Sequence, residues 1–152
     1  MVFKHDFIKF PELTNSQMQI YYFDSPHRQI TEDFTALVTK IIDGDTIQLK
    51  WSERNFEFPI RFIKIAAPEK KESGGEESKN WLEKELLGET VDIIINNKKR
   101  VGKWGRLLGE VFAKGVNMGD LSMTLGFSEP FSSQGAGKIR DIDKGLKRFK
   151  IK

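Results

Sequence analysis

Three short stretches of this 152-residue chain hold the side chains best suited to chemistry. The first is Asp43-Gly44-Asp45-Thr46, two acids astride a glycine. Paired carboxylates at a turn can hold a hard cation through oxygen, although the stretch alone reads first as a hairpin turn. The second is residues 61–69, Arg-Phe-Ile-Lys-Ile-Ala-Ala-Pro-Glu. Arg61 lies in an apolar run, where a guanidinium is costly unless its head reaches a partner. Pro68 fixes the backbone just ahead of Glu69 and biases Ala67 toward an extended shape. Without context this is an edge strand ending in a proline turn. The third is Lys103-Trp104-Gly105-Arg106, where Gly105 allows a sharp turn that aims Arg106 inward; bare, it is an ordinary basic loop. Together, an acid, two arginines and a further acid are what phosphodiester hydrolysis requires. A bound cation supplies Lewis acidity, guanidinium forks neutralise the charge building on phosphoryl oxygens, and a carboxylate orients or deprotonates water.

The hydrophobic pattern supplies elements to carry these groups. Residues 35–42 are apolar and β-branched, and Asp43-Gly44 signals a turn. Ile47, Leu49 and Trp51 then alternate with Thr46, Gln48 and Lys50, and Phe56, Phe58, Ile60 and Phe62 alternate with Arg61 on the opposite face. This is a three-strand meander with short connections. A polar loop over 70–75 leads to a helix running to about Leu87; Ser73 and Glu76 have capping-box spacing, Trp81, Leu82 and Leu86 form the buried stripe, and Gly88 ends it. Strands follow over 91–95 and 107–113. Asn117 and Asp120 then bracket a short helix carrying Met118, Leu121 and Leu125, which Gly126 closes. The order is that of a small α+β, mainly β domain: a five-stranded OB-type barrel with two or three helices. Such a barrel removes exposed sheet edges and offers one face and its loops to oligonucleotides.

Three regions follow from composition. Residues 1–33 form a slightly acidic aromatic head (Phe3, Phe7, Phe10, Tyr21, Tyr22, Phe23), with Thr14 or Asn15 placed to cap a short helix and Ser25-Pro26 to stop it. The head is expected to pack on the barrel rather than stack on bases, because it lacks the interleaved basic residues that phosphates need. Residues 34–132 form the barrel domain. Residues 133–152 are a basic tail of net charge +5, against −2 for the rest. A second basic cluster, Lys98, Lys99, Arg100, Lys103 and Arg106, contains no acid. Lysine and arginine release counterions from phosphates, so both clusters tilt the reading toward a polyanion partner. The chain has no cysteine, which excludes disulfides and thiolate metal sites, and only His5 and His27 stand against a histidine-rich metal site. No apolar run approaches eighteen residues, so a membrane-spanning helix is excluded. The N-terminus does not read as a secretory signal, so an intracellular, cytoplasmic or virus-encoded protein is expected. A monomer is the default.

The order Asp-Gly-Asp-Thr, then Arg…Ala-Pro-Glu, then Trp-Gly-Arg-Leu resembles the thermonuclease family, whose type member is staphylococcal (micrococcal) nuclease. The likeness runs over about residues 34–131 and includes the order of strands and helices. It implies a calcium-dependent endonuclease that cleaves DNA and/or RNA. Residue by residue, it implies that Asp45 is a calcium ligand, with Asp43 and Thr46 in support. Arg61 would contact the phosphate and stabilise the transition state, Glu69 would serve the attacking water, and Arg106 would bind phosphate and assist the leaving oxygen. Lys103, Trp104, Lys98 and Lys99 are further candidate nucleic-acid contacts.

The sequence also departs from that family. Where the family reads Asp-Thr-Pro-Glu or Asp-Ala-Pro-Glu, this chain reads Ala66-Ala67-Pro68-Glu69. The position of the second calcium-ligating carboxylate is thus Ala66, without a ligand atom, while the Ala67 backbone carbonyl can still serve. Calcium takes six to eight oxygens, so a weakened calcium site and an impaired enzyme are expected; the competing expectation is a non-catalytic nucleic-acid-binding module. Phe127 and Phe131 stand where the family's type member has nucleotide-contacting tyrosines, which keeps stacking but removes a phenolic hydrogen bond. Residues 132–137 are rich in glycine and serine, as though the family's last helix were eroded.

Overall fold

The computed structural model describes residues 5–102 and 105–131. The strands are β1 (Phe34–Asp43), β2 (Thr46–Lys50), β3 (Phe58–Phe62), β4 (Ile65–Ala66), β5 (Thr90–Ile94), β6 (Leu107–Ala113), β7 (Val116–Asn117) and β8 (Glu129–Pro130). Three α-helices accompany them: α1 (Asn15–Tyr21), α2 (Gly75–Leu86) and α3 (Met118–Thr124). The strand order is β3-β2-β1-β5-β6, with a parallel β3–β6 pairing that closes the sheet on itself. The result is the expected five-stranded mixed barrel; two-residue β7 extends β6, and β4 pairs with β8 outside the barrel.

Closure depends on β1, the longest strand. Its first half pairs with β5 and its second with β2, and its register against β2 shifts twice, between Val38 and Lys40 and between Ile41 and Asp43. Bulges of this kind raise local twist and let one strand serve two sides of a small barrel. The alternation then fills the interior: Val38, Ile41, Ile47, Leu49, Phe58, Ile60, Phe62, Ile93 and Val111 are buried, and Leu82 and Leu86 of α2 join them. Trp81 is half-buried against this core and stacks on Phe127, ring centroids 5.1 Å apart.

Two local expectations are corrected. Ser73 and Glu76 do not form a capping box: the N-cap of α2 is Gly74, in the left-handed region at φ +81°, with no side-chain cap. The loop turns one residue later than the spacing implied. Arg100, grouped in sequence with a basic nucleic-acid cluster, is buried instead. Its Nη2 donates to Glu12 Oε1 (2.9 Å), its Nη1 to the Leu13 carbonyl (2.8 Å) and its Nε to the Ile30 carbonyl (2.8 Å).

Glu12 is the junction between the N-terminal segment and the barrel. It is fully buried, and its Oε2 accepts from Arg54 Nη2 at 2.6 Å while its Oε1 also accepts from the Ile30 amide at 2.7 Å. Arg54 lies over the Phe58 ring at 4.4 Å and near Phe56 and Trp51; its Nε and Nη1 have no hydrogen-bond partner among the described residues. The aromatic faces partly compensate for those missing bonds. Alongside this ionic cluster, Leu13 and Ile30 are buried. Tyr22 and Phe23 do not pack inward; Phe23 is 96% exposed. The short helix forms as its signals implied, with Thr14 as N-cap and a reciprocal Gln17 contact. Among the described residues, no helix is long and apolar enough to cross a membrane.

Two buried guanidiniums on one carboxylate make Glu12 the most sensitive position of the docking. Breaking a buried ion pair on one side costs about 3–5 kcal/mol, because the partner charge stays buried. Glu12→Gln should therefore lower urea-unfolding stability by about that much, measured by circular dichroism. An unchanged midpoint would show that the cluster does not hold the segment in place.

Candidate active site

The turn between β1 and β2 places Asp45 at the centre of the candidate site. Thr46 opposes Arg61 across the β2–β3 pair, and the Phe62 amide donates to the Asp45 carbonyl at 2.8 Å. This register carries the Asp45 side chain to the Arg61 head: Arg61 Nη2 donates to Asp45 Oδ2 at 3.3 Å. The same oxygen accepts from the Ala67 amide (2.9 Å), and Oδ1 accepts from the Thr46 hydroxyl (2.9 Å). One carboxylate thus ties the turn, β3 and the stretch after β4 together. Asp45 and Arg61 are largely buried, so this charge-assisted contact is less screened than a surface pair.

The neighbouring backbone is built for close approach. A Cβ on Gly44 would lie 2.0 Å from Ser78 Oγ and 2.9 Å from the Ala67 Cβ, so only glycine lets the turn meet α2. Ser78 is itself fixed, its hydroxyl donating to the Phe127 carbonyl at 2.8 Å. Lys64, a non-glycine residue at φ +73°, turns the chain from β3 into β4. Its carbonyl accepts from the Phe131 amide at 2.8 Å. That bond sets Phe131 beside the site, and the Arg61 guanidinium lies 4.9 Å from its ring centre.

Asp43 reports the surrounding charges. Its carboxyl is held above the ordinary value near 3.8, first by burial, then by the negative charges of Asp45 and Glu69; Lys79 and Arg106 oppose the shift. Asp43 therefore lies within electrostatic range of both Glu69 and Arg106, though neither contacts it directly. Glu69 is exposed at the start of the loop into α2, its amide donating to Glu72 Oε1 at 2.8 Å and its carbonyl accepting from the Glu72 amide at 2.8 Å.

Of the residues singled out in the sequence, Asp45, Thr46, Arg61 and Ala67 meet directly, while Glu69 and Arg106 lie within electrostatic range of Asp43 and no contact among the described residues ties them to that group. Ala66 is fully buried and presents only a methyl group. It is the amide of Ala67 that reaches Asp45. Lys98 and Lys99 are exposed in the loop after β5, with no contact tying them to this group. Lys103 and Trp104 lie outside the described residues, as does the basic stretch 133–152. Phe127 is engaged with Trp81, leaving Phe131 as the aromatic at the arginine. Lys79 was not anticipated. The available signal was its place one turn into α2, immediately after buried Ser78.

The site thus joins a buried Asp45–Arg61 pair to the nearby carboxylate of Asp43 on an OB-like five-stranded barrel. Residues 59–128 match the family model described as staphylococcal nuclease homologue. Two proteins, from Escherichia coli and Escherichia coli O157:H7, each named "Uncharacterized endonuclease", are 33% identical over 95 residues, or 62% of this chain. The matched stretch spans 59% of those relatives' length. Over residues 59–128 the chain is thus similar to the staphylococcal nuclease homologue (SNase) family.

Because the Asp43 carboxyl is more basic when folded than when unfolded, the folded state binds the extra proton. Stability then falls as pH rises from about 3.8 through the raised folded value, and the deficit persists above it. In chelator, Asp43→Asn should raise the thermal midpoint at pH 7 and leave it unchanged below pH 3.8. An equal effect at both pH values would refute this account.

Proposed function

We propose that this domain is an endonuclease-type phosphodiesterase acting on DNA and/or RNA, impaired by the alanine at position 66. The observation that carries the reading is the Asp45–Arg61 contact, with Glu69 and Arg106 within electrostatic range of the adjacent Asp43, in a chain that matches this family over residues 59–128. The names of the two Escherichia coli relatives support the same reaction class.

In this reading Arg61 and Arg106 hold the non-bridging oxygens of one phosphodiester. Their planar forks grip two oxygens at a time, which lysine cannot do. Asp45 is a positioning residue for Arg61: it fixes the guanidinium without touching the substrate. Glu69 accepts a proton from the attacking water as the water oxygen bonds to phosphorus. The P–O ester bond opposite breaks, and the leaving oxygen, its charge offset by Arg106, takes up a proton from solvent water.

The family's calcium bears on this site. Asp45, Asp43 and the Ala67 carbonyl are the groups that would hold it. Both Asp45 oxygens already accept protein hydrogen bonds, Ala66 contributes no oxygen, and among the described residues no three Asp, Glu or His side chains converge as a metal cluster. This set falls short of six to eight oxygens, so it fits only a weakly held, largely hydrated cation. When bound, such a cation supplies Lewis acidity to the phosphoryl group.

A second reading, a nucleic-acid-binding module without catalysis, is favoured by Ala66 alone. Cleavage of a fluorescent oligonucleotide, with and without calcium, separates the two. Ala66→Asp should tighten calcium binding by at least about 10–100-fold and raise the cleavage rate. In that background Arg61→Lys should lose about 10²–10³ in kcat despite keeping its charge. Binding without cleavage in both the chain and Ala66→Asp would establish the module, and full activity of Arg61→Lys would remove Arg61 from its role.

A further inference from the structure

Arg106 faces two places. On one side it lies within electrostatic range of Asp43. On the other it lines a cavity of about 440 Å³ between the N-terminal segment and the barrel, walled by Lys9, Phe10 and Pro11 and by Phe58 and Pro59 of β3. That volume falls within the range of small-ligand clefts, about 300–1,000 Å³. The matched family stretch begins at residue 59, so the segment forming one wall lies outside it.

We propose that this cavity is a subsite for the nucleotide flanking the scissile phosphate of a single strand. The base lies against Phe10, Pro11 and Pro59, its own phosphate meets Lys9, and Arg106 stays on the scissile phosphate next to it. This rests on reading the domain as a phosphodiesterase. Three observations argue for it. First, the lining is apolar with cations at its rim, as a base and a phosphate require. The one carboxylate in the lining, Glu12, is spent on Arg54, Arg100 and the Ile30 amide, so it does not cancel the charges of Lys9 and Arg106. Second, the wall is fixed before any strand arrives. Gly105, at φ +79°, lets the arginine-bearing loop approach so closely that a Cβ there would lie 3.0 Å from the Glu12 carbonyl and 3.1 Å from the Phe10 Cβ. The Phe10 amide donates to the Asp6 carbonyl at 2.9 Å, and the Lys9 ammonium lies 5.5 Å from the Phe10 ring centre. Third, Arg106 lines the cavity and lies within electrostatic range of Asp43, so a phosphate held by Arg106 is shared between the cavity and the acidic group. The sequence set aside base stacking by the head for want of basic residues; the fold supplies Arg106 from β6's approach, 97 positions beyond Lys9.

The test measures binding of a fluorescein-labelled oligo(dT) 12-mer by anisotropy across a salt series. It compares the full chain with Lys9→Ala, Phe10→Leu and the charge-matched control Lys84→Ala on the exposed side of α2. Arg106→Gln is measured alongside them, and thermal midpoints of all five proteins confirm folding. Lys9→Ala should weaken binding several-fold and flatten the slope of log K against log salt by about 0.7, the contribution of one single-strand phosphate contact. Phe10→Leu should weaken binding with the slope unchanged, and Lys84→Ala should match the parent chain. If Lys9→Ala and Phe10→Leu both match Lys84→Ala while Arg106→Gln loses binding, the subsite is refuted and the phosphodiesterase reading stands. If the parent chain does not bind the 12-mer at all, both fall.

Discussion

Everything at the candidate site depends on what the Asp45 carboxylate holds. It is the acceptor for the hydroxyl of the next residue, Thr46 of β2, an amide from beyond β4 and a guanidinium from β3. Removing a buried, multiply bonded acceptor leaves each donor unsatisfied, at a cost far beyond the net value of any one bond. The same geometry decides the chemistry. A guanidinium held by a fixed carboxylate is already oriented, so binding a phosphate does not require ordering a long side chain first. The fully buried methyl of Ala66 sits in this setting as a sealed position, which explains how the pocket keeps its shape while lacking an oxygen there.

The second organising charge is Glu12. It lies far from the acids in sequence yet shapes the site's other side, because the two arginines it binds fix residues 12–30 against the barrel. That docking fixes Phe10 against the Gly105 turn, and through it the approach to Arg106. Burying three charged groups is expensive. The outcome is a specified orientation for a segment that aliphatic contacts through Leu13 and Ile30 alone would leave free to slide.

Much of the barrel was legible because its strands obey a strict period of two. Ile47, Leu49, Phe58, Ile60 and Phe62 read as inward residues from sequence and are buried in the fold. β4, β7 and β8 were not legible, since two residues carry no periodicity. Arg100 was misread for a different reason. A basic residue among lysines looks the same whether it faces water or a buried acid, and its partner lies 88 residues away. The head was half-legible: Thr14 announced its cap, but nothing in an aromatic-rich stretch distinguishes Phe10, half-buried beside the arginine loop, from Phe23 in solvent. At the site, residue types and order pointed to Asp45, Arg61, Glu69 and Arg106. The Asp45–Arg61 contact, and the presence of Lys79 and Phe131 nearby, come from strand register and helix placement that local sequence does not encode.

The central claim is that two guanidiniums, one from β3 and one from the loop before β6, serve one phosphate. A crystal structure of the chain soaked with calcium and a short single-stranded oligonucleotide addresses it directly. The account predicts Arg61 and Arg106 bonded to oxygens of the same phosphate, with the Glu69 carboxylate facing that phosphorus. A strand bound elsewhere on the barrel, or the two arginines reaching different phosphates with Glu69 turned away, would contradict it.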